Sequence, residues 1–350
     1  MCDLRLIGQL MNSRKPKSQQ TGFVLVVVLC MLMLLTVLVT AFNRDCRIGL
    51  RRSAELRNSS RALACAKAGL DVAIVAVRAG DDVRTNIVLS ELLSGEITFS
   101  LGQGRCKLAV TQESSKLNVN YLSAADGVIN RARVDQLLGL IDLLNKDRNS
   151  GTGIGYDIAA SIIDWVDSDE KTTQLEFVRR GGRGAESVYY RRGEFPYRCA
   201  NSPFDTNAEL LLVKGITPQV FRKTGDYVTV YGTGKVNINC ASKEVIESLS
   251  VKMDPSLAQM IVSRRDVKPF DSVFELRDFP GMTDSVYNQI KRFATVRSAQ
   301  PYYSVTSTGT AGDVRCELTA IIKANSEFET ADVIFCRESY GRFPGIVESY

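Results

Sequence analysis

The sequence predicts an α+β fold: one long N-terminal helix packed on a small antiparallel sheet, with a large all-α domain inserted between the two halves of that sheet. Three observations predict it. The apolar run Phe23 to Phe42 continues into a proline-free stretch, Asn43 to Ala79, with helical apolar spacing. Strand-like alternation occurs near residues 96–121 and returns at residues 301–323. Between those two blocks the apolar residues recur at helical intervals instead.

The first element is the most constrained. Phe23 to Phe42 holds twenty uncharged residues, and at about 1.5 Å per helical residue it reaches roughly 30 Å, the thickness of a bilayer's hydrocarbon core. A secretory h-region is shorter, about 7–15 residues, although Val39-Thr40-Ala41 offers a small-residue cleavage pattern. Three readings therefore stand: a retained anchor, a removed signal and a processed helix. Orientation is not fixed by charge, because Arg44, Arg47, Arg51 and Arg52 after the run balance Arg5, Arg14, Lys15 and Lys17 before it.

Past the span, Leu63, Ala66, Leu70, Ala73, Ile74 and Val77 mark one buried stripe, and Gly80-Asp81-Asp82 supplies a stop. Glu96 to Leu101 and Arg105 to Thr111, joined by Gly102-Gln103-Gly104, read as a hairpin, and Lys116 to Tyr121 as a third strand of a meander. From Asp126 the texture is helical: Val134, Leu137, Leu138, Ile141 and Leu144 share a face, Asn145 to Gly155 is a polar link, and Tyr156 to Val166 is helix again. The glycines Gly151, Gly153 and Gly155 lack the spacing and the preceding strand of a phosphate loop. Asn207 to Val230 and Lys235 to Arg297 read as tandem small helical units, each with a glycine stop, at Gly215 and Gly281, followed at once by a new helix; Ser242 caps another. Val314, Cys316, Leu318, Ala320 and Ile322 alternate after the turn 309–313, and Ala331 to Phe335 can add a further strand.

Composition narrows the function classes. Of the net charge of +5, +3 belongs to Met1 to Gly22, so the remainder carries only +2. Over residues 196–300, 14 Lys/Arg face 11 Asp/Glu. No broad basic footprint for nucleic acid exists. The chain has no histidine, which removes the commonest general base and nearly all imidazole metal sites. It also has no Gly-x-Ser-x-Gly, so it reads as a non-enzyme without a small-molecule substrate. Of nine cysteines, seven lie beyond the span, an odd number for disulfides; Cys199 with Cys240 is one candidate pair.

Asp164, Asp167 and Asp169 place three carboxylates within six residues at a helix end, beside Trp165, the only tryptophan. Such acids repel one another unless solvated or neutralised, and hard oxygen donors favour Ca²⁺. A solvated acidic helix end and a cation site are the two readings.

Two sets of residues carry a family resemblance. Gly22-Phe23, after a basic leader and before the apolar helix, resembles the signal of type IV pilins and type II secretion pseudopilins. Asp164-Trp-Val-Asp-Ser-Asp169, then Gly184-Ala-Glu186 with Tyr189-Tyr190, then Tyr197-Arg-Cys-Ala-Asn201, resembles the K-type minor pseudopilins (general secretion pathway protein K family), as does Glu113-Ser-Ser-Lys-Leu-Asn-Val-Asn120. The resemblance runs from about Thr21 to Lys323. It implies a prepilin leader at 1–22, a transmembrane helix at 23–42, a pilin-like helix and first strands at 43–125, an inserted α-helical domain at 126–298 built of helix-hairpin-helix or SAM-like units, returning strands at 299–325 and a C-terminal extension at 326–350. It implies cleavage after Gly22 by a prepilin peptidase and methylation of Phe23. Val27 stands where most such subunits carry a glutamate, a departure that resembles the tip subunit. The resemblance further implies Ca²⁺ at Asp164, Asp167, Asp169 and Glu186, with Ser187 where relatives often place another acid. It implies assembly with I- and J-type minor pseudopilins and other pseudopilins, without nucleic acid, and a single-pass protein of the bacterial inner membrane with its head in the periplasm. A membrane-anchored helix-hairpin-helix DNA-binding protein of the competence type is the alternative. Against it, Thr217 and Thr283 stand where a phosphate-binding hairpin carries its second glycine.

Overall fold

A computed structural model describes residues 20–80, 86–124, 126–146, 153–178, 181–325 and 330–342. The leader up to residue 19, Asp81 and Asp82 of the expected stop, Gly151 and residues 343–350 lie outside the described residues. Two compact units divide the chain, one up to Asn58 and the other from Ser59 to Tyr350.

One helix, α1 (Gln20–Arg78), runs through the whole expected helical region. Its part within the first unit has exposed apolar side chains from Phe23 to Phe42, as a lipid-facing helix requires. In the second unit its buried stripe is Ala62, Cys65, Ala66, Gly69, Ala73, Ala76 and Val77. That stripe is rotated slightly from the expected one: Leu63, Leu70 and Ile74 are half-buried at its margin. The small residues let the helix sit close to the sheet. A Cβ on Gly309 would lie 1.9 Å from the Ala62 carbonyl oxygen, and Ser307 Oγ donates to the Ala66 carbonyl at 2.7 Å.

After α2 (Ile87–Ser94), capped by Asn86, come β1 (Ile97–Leu101) and β2 (Gly104–Gln112), an antiparallel hairpin turning at Gly102 with φ +58°. The expected third strand of a meander does not form. Leu117–Asn118 is a two-residue β3 that pairs parallel with β4 (Val228–Thr229), far along the chain. A local meander would have to turn back at Glu113 to Ser115, but that 3-10 turn is wholly buried and leads the chain away into the helical domain. The real neighbour of β2 is β7 (Tyr302–Ala311), which pairs with β8 (Val314–Asn325), giving the sheet order β1-β2-β7-β8-β9. Its last strand, β9 (Thr330–Arg342), includes the expected Ala331 to Phe335 and extends further.

The helical domain contains α3 (Arg131–Lys146), α4 (Asp157–Val166), the single turn α5 (Ser187–Tyr190), α6 (Pro218–Thr224), α7 (Lys243–Ser248), α8 (Pro255–Val267) and α9 (Asp284–Phe293), with the short strands β5 (Val236–Asn237) and β6 (Ala294–Thr295). Its core is continuous, with Val134, Leu140, Ile141, Ile163, Ile238, Ile246, Phe270 and Leu276 almost wholly buried.

Two segments of this domain use the same construction. Asn120 accepts from the Phe204 N–H and donates to the Phe204 and Val230 carbonyls; Asn239 accepts from the Phe270 N–H and donates to the Phe270 and Val296 carbonyls. Each asparagine follows a short parallel strand pair, β3 with β4 and β5 with β6. Capping boxes recur at Thr206 with Glu209 and at Ser272 with Glu275. Left-handed glycines follow at Gly215 and Gly281, both with φ +87°, and then the N-caps Thr217 and Thr283. From Phe204 and Phe270 onward the two copies stay in register. The first copy alone carries the segment between α4 and Phe204, and Asp167, Asp169 and Glu186 lie there, with Asp164 in the last turn of α4.

Candidate metal centre

The last turn of α4 is apolar except for one carboxyl. Asp164 is fully buried, its Oδ1 accepting the Thr173 N–H at 2.8 Å. Its Oδ2 points at Gly184, where a Cβ would lie 2.1 Å from that oxygen. Asp167 ends the helix, its N–H closing on the Ile163 carbonyl at 3.0 Å, and its side chain is only 3% exposed. Asp169 stands more openly in the following loop, where its Oδ1 accepts the Lys171 N–H at 2.6 Å. Glu186 precedes the α5 turn and is also 3% exposed.

The fold gathers the expected acids. One carboxylate oxygen each of Asp167, Asp169 and Glu186 lie within 4.8 Å of one another. Asp164 adjoins them through the charge it exerts on Asp167 and Glu186. Burial, reinforced by the neighbouring Asp164 and Asp169, pushes the Asp167 carboxyl up to about 6. Burial and then Asp164, Asp167, Glu170 and Asp169 push Glu186 up to about 8. Asp164 is also raised, mainly by burial.

Asp164 Oδ2, Asp167 Oδ1, both Glu186 oxygens and Asn201 Oδ1 are buried without a hydrogen-bond partner among the described residues. Unpaired oxygens on Asp167 and Glu186 beside Asp169, with a raised carboxyl pKa at each buried acid, are a donor set that a cation could satisfy. The donor set is all oxygen, which suits Ca²⁺.

Three residues near the site carried no local signal. Gly127, at φ +78°, brings backbone to the rim; a Cβ there would lie 3.6 Å from Asp169 Oδ2 and 3.9 Å from Asp167 Oδ2. Glu170 joins through Ser187, whose Oγ donates to Glu170 Oε1 at 2.9 Å, so a hydroxyl bridge occupies the place where another acid was expected. Asn201, with its left-handed φ of 47°, donates from Nδ2 to the Asp169 carbonyl at 3.0 Å. Asn201 entered the sequence reading only as the end of the Tyr197-Arg-Cys-Ala-Asn201 motif, and its left-handed backbone appears only in three dimensions.

Behind the acids, Trp165 stacks on Phe204 at 6.0 Å and meets Tyr190 edge-on at 5.4 Å. The candidate disulfide is not formed. Cys199 and Cys240 are both free: Cys199 Sγ donates to the Asp164 carbonyl at 3.1 Å, and Cys240 lies instead beside Asn237 Nδ2 at 3.8 Å. They occupy different copies of the repeated construction, so no shared loop brings them together. Burial pushes the Cys199 thiol up to about 12, which keeps it protonated and inert. The other residues singled out lie on α1, where Gly22, Phe23 and Val27 are helical.

Residues 115–233 match the family model for type II secretion system protein K, and residues 232–295 match a helix-hairpin-helix motif, so the two matches meet where the two copies of the repeated construction meet. No curated protein matches the chain. Among solved structures, a chain of the GspK-GspI-GspJ complex from the type 2 secretion system of enterotoxigenic Escherichia coli is similar in fold, with a TM-score of 0.59 at 19% identity over 85% of this chain and 99% of that one. Over residues 115–233 the chain is thus similar to type II secretion system protein K, and its fold is similar to that of a chain of the solved complex.

Proposed function

We propose that the chain is a minor pseudopilin that caps the tip of a type II secretion pseudopilus and helps to initiate it, by assembling with I- and J-type minor pseudopilins. The observation that carries this reading is the combination of a protein K domain with a 59-residue helix whose stretch from Phe23 to Phe42 exposes an uncharged, mostly apolar surface. Function here is assembly. The apolar helix holds the subunit in the inner membrane and bundles with other pseudopilin helices, with the head in the periplasm. A prepilin peptidase cuts after Gly22 and the new terminus at Phe23 is methylated. Val27 offers no carboxylate to the terminal amine of a further subunit, so the filament ends here.

In the head, Ca²⁺ bound by Asp167, Asp169 and Glu186, with Asp164 behind them, clamps the loop from α4 to the α5 turn. The orphaned oxygens of these residues support that assignment. The helix-hairpin-helix match raises DNA binding as a second reading. The hairpin's own chemistry opposes it: Thr283 Oγ1 takes the Val286 N–H that a phosphate would need, and Asp278 and Asp284 flank the turn. A gel shift at low salt with the full chain in detergent decides this point, and a salt-sensitive shift would overturn the tip assignment's exclusion of nucleic acid. The main test is co-purification of the chain with I- and J-type minor pseudopilins of its own organism, with and without Ca²⁺. A stable ternary complex is expected, and no complex under either condition would refute the assignment.

A further inference from the structure

The stretch of α1 just past the apolar run has a feature that neither anchoring nor tip assembly uses. Arg44, Arg47 and Arg51 are all exposed, and together with Thr40, Asn43 and Ile48 they line one concavity on the helix surface. At about 100° per residue, Thr40, Asn43, Arg44, Arg47 and Arg51 fall in a sector about 100° wide. Asp45 lies about 160° round the helix from Arg47, while Glu55, one turn beyond Arg51 and about 40° round from it, marks the far end of the stripe. The stripe is therefore basic and carries hydrogen-bond donors from Asn43 to Arg51, the Thr40 hydroxyl donating instead to the Thr36 and Val37 carbonyls.

Its depth follows from helix geometry. Counting from Phe42, the end of the apolar run, Arg44 sits about 3 Å further along the axis, Arg47 about 7.5 Å and Arg51 about 13.5 Å. The polar headgroup layer on each side of a bilayer is about 5–8 Å thick. Arg44 and Arg47 fall within that layer, and Arg51 just beyond it. Side chains on a helix tilt toward its N-terminus, so all three guanidinium groups reach back toward the lipid rather than away from it. Planar guanidinium groups bind phosphate through paired N–H donors.

We infer that Arg44, Arg47 and Arg51, with Asn43, form a binding site for the phosphate headgroup of an anionic glycerophospholipid, in the leaflet opposite the leader. The inference rests on the reading of residues 23–42 as a membrane span. Bound lipid would fix the depth at which the head emerges. It would also supply the counter-charge that lets a strongly basic segment follow an apolar helix out of the membrane.

The test uses the full chain in nanodiscs containing equal amounts of phosphatidylglycerol and phosphatidylcholine, with the lipids retained after transfer to detergent counted by native mass spectrometry. The wild-type chain is expected to retain phosphatidylglycerol in preference to phosphatidylcholine. Each arginine near an anionic surface contributes about a fivefold preference, so the variant R44Q/R47Q/R51Q should lose roughly a hundredfold. The variant R14Q/K15Q/K17Q, altered only in the leader, should keep the preference. Equal retention of both lipids by the wild type, or an unchanged preference in the triple arginine variant, would overturn the proposal. Displacement of the lipid by excess inorganic phosphate would show a generic phosphate site and overturn the lipid assignment. Flotation with phosphatidylcholine vesicles is scored separately. A chain that does not float refutes the span and this inference with it, whereas a chain that floats without lipid preference refutes the inference alone.

Discussion

Glu186 and Asp167 show how burial sets the sign of a pH effect. Their folded-state pKa values, about 8 and about 6, lie above the ordinary carboxyl range near 4. Without metal, the folded head therefore binds more protons than the unfolded chain between about pH 4 and 8, and its stability falls as pH rises through that window. Ca²⁺ competes with those protons, so it should stabilise most at the alkaline end. Thermal unfolding of the chelated protein should accordingly give a higher Tm at pH 5.5 than at pH 8, and the Tm gain on adding Ca²⁺ should be largest at pH 8. Saturation at a hundred times Kd corresponds to about 2.7 kcal/mol. Glu186→Gln and Asp167→Asn should each weaken Ca²⁺ binding at least about tenfold, since each removes an ionised donor. Trp165, the only tryptophan and next to Asp164, offers a fluorescence signal for the titration. A different carboxylate holds the domain interface. Glu113 is fully buried and accepts from Lys116 Nζ at 2.8 Å, Ser304 Oγ at 2.5 Å, Asn207 Nδ2 at 3.4 Å and Thr229 Oγ1, so one side chain ties β7 of the sheet to the helical domain. Glu113→Ala leaves the buried Lys116 ammonium unpaired and should cost about 3–5 kcal/mol. Pairing Glu113→Gln with Lys116→Met should recover much of that loss, as chemical denaturation would show.

Among the elements, α1 shows how small residues decide packing. Gly309 on β7 lets the Ala62–Ala66 turn of the helix lie directly on the strand. Gly309→Ala would place its Cβ against helix backbone that cannot move aside, so a loss of about 3 kcal/mol is expected, read as a fall in Tm. Gly49, also on α1, meets nothing within 4 Å, and Gly49→Ala should be neutral or stabilise by up to about 1 kcal/mol. The helix itself was legible from its apolar run and the absence of proline, and β7 and β8 from their alternation. The meander was not legible, because Leu117 and Asn118 have the same local pattern whether they extend the hairpin or pair with Val228 and Thr229. Strand pairing at that distance is a property of the closed domain. The repeated construction was half visible: two glycine-stopped helical units could be read, whereas the matching roles of Asn120 and Asn239 depend on partners 31 to 110 residues away.

For the whole molecule, the sequence alone determined the order of parts: an apolar run of membrane length, a long helix, strands, a helical insertion and returning strands. Periodicity and composition are local quantities, and each of these parts states itself within its own segment. The acids Asp164, Asp167 and Asp169 were legible because they crowd one helix end. Their partner Glu186 came from a resemblance in motif, Asn201 from the same resemblance without a role, and Gly127 and Glu170 from neither. Only the tertiary structure decided that Asp167, Asp169 and Glu186 converge, that Asp164 Oδ2, Asp167 Oδ1 and both Glu186 oxygens are left without partners among the described residues, and that Cys199 and Cys240 do not pair. It also decided that β2 finds its neighbour in β7, some 190 residues on. The physical reason is the same in each case. Burial and electrostatic strain arise between groups that only the closed chain brings together, and no single stretch of sequence contains both sides of the contact.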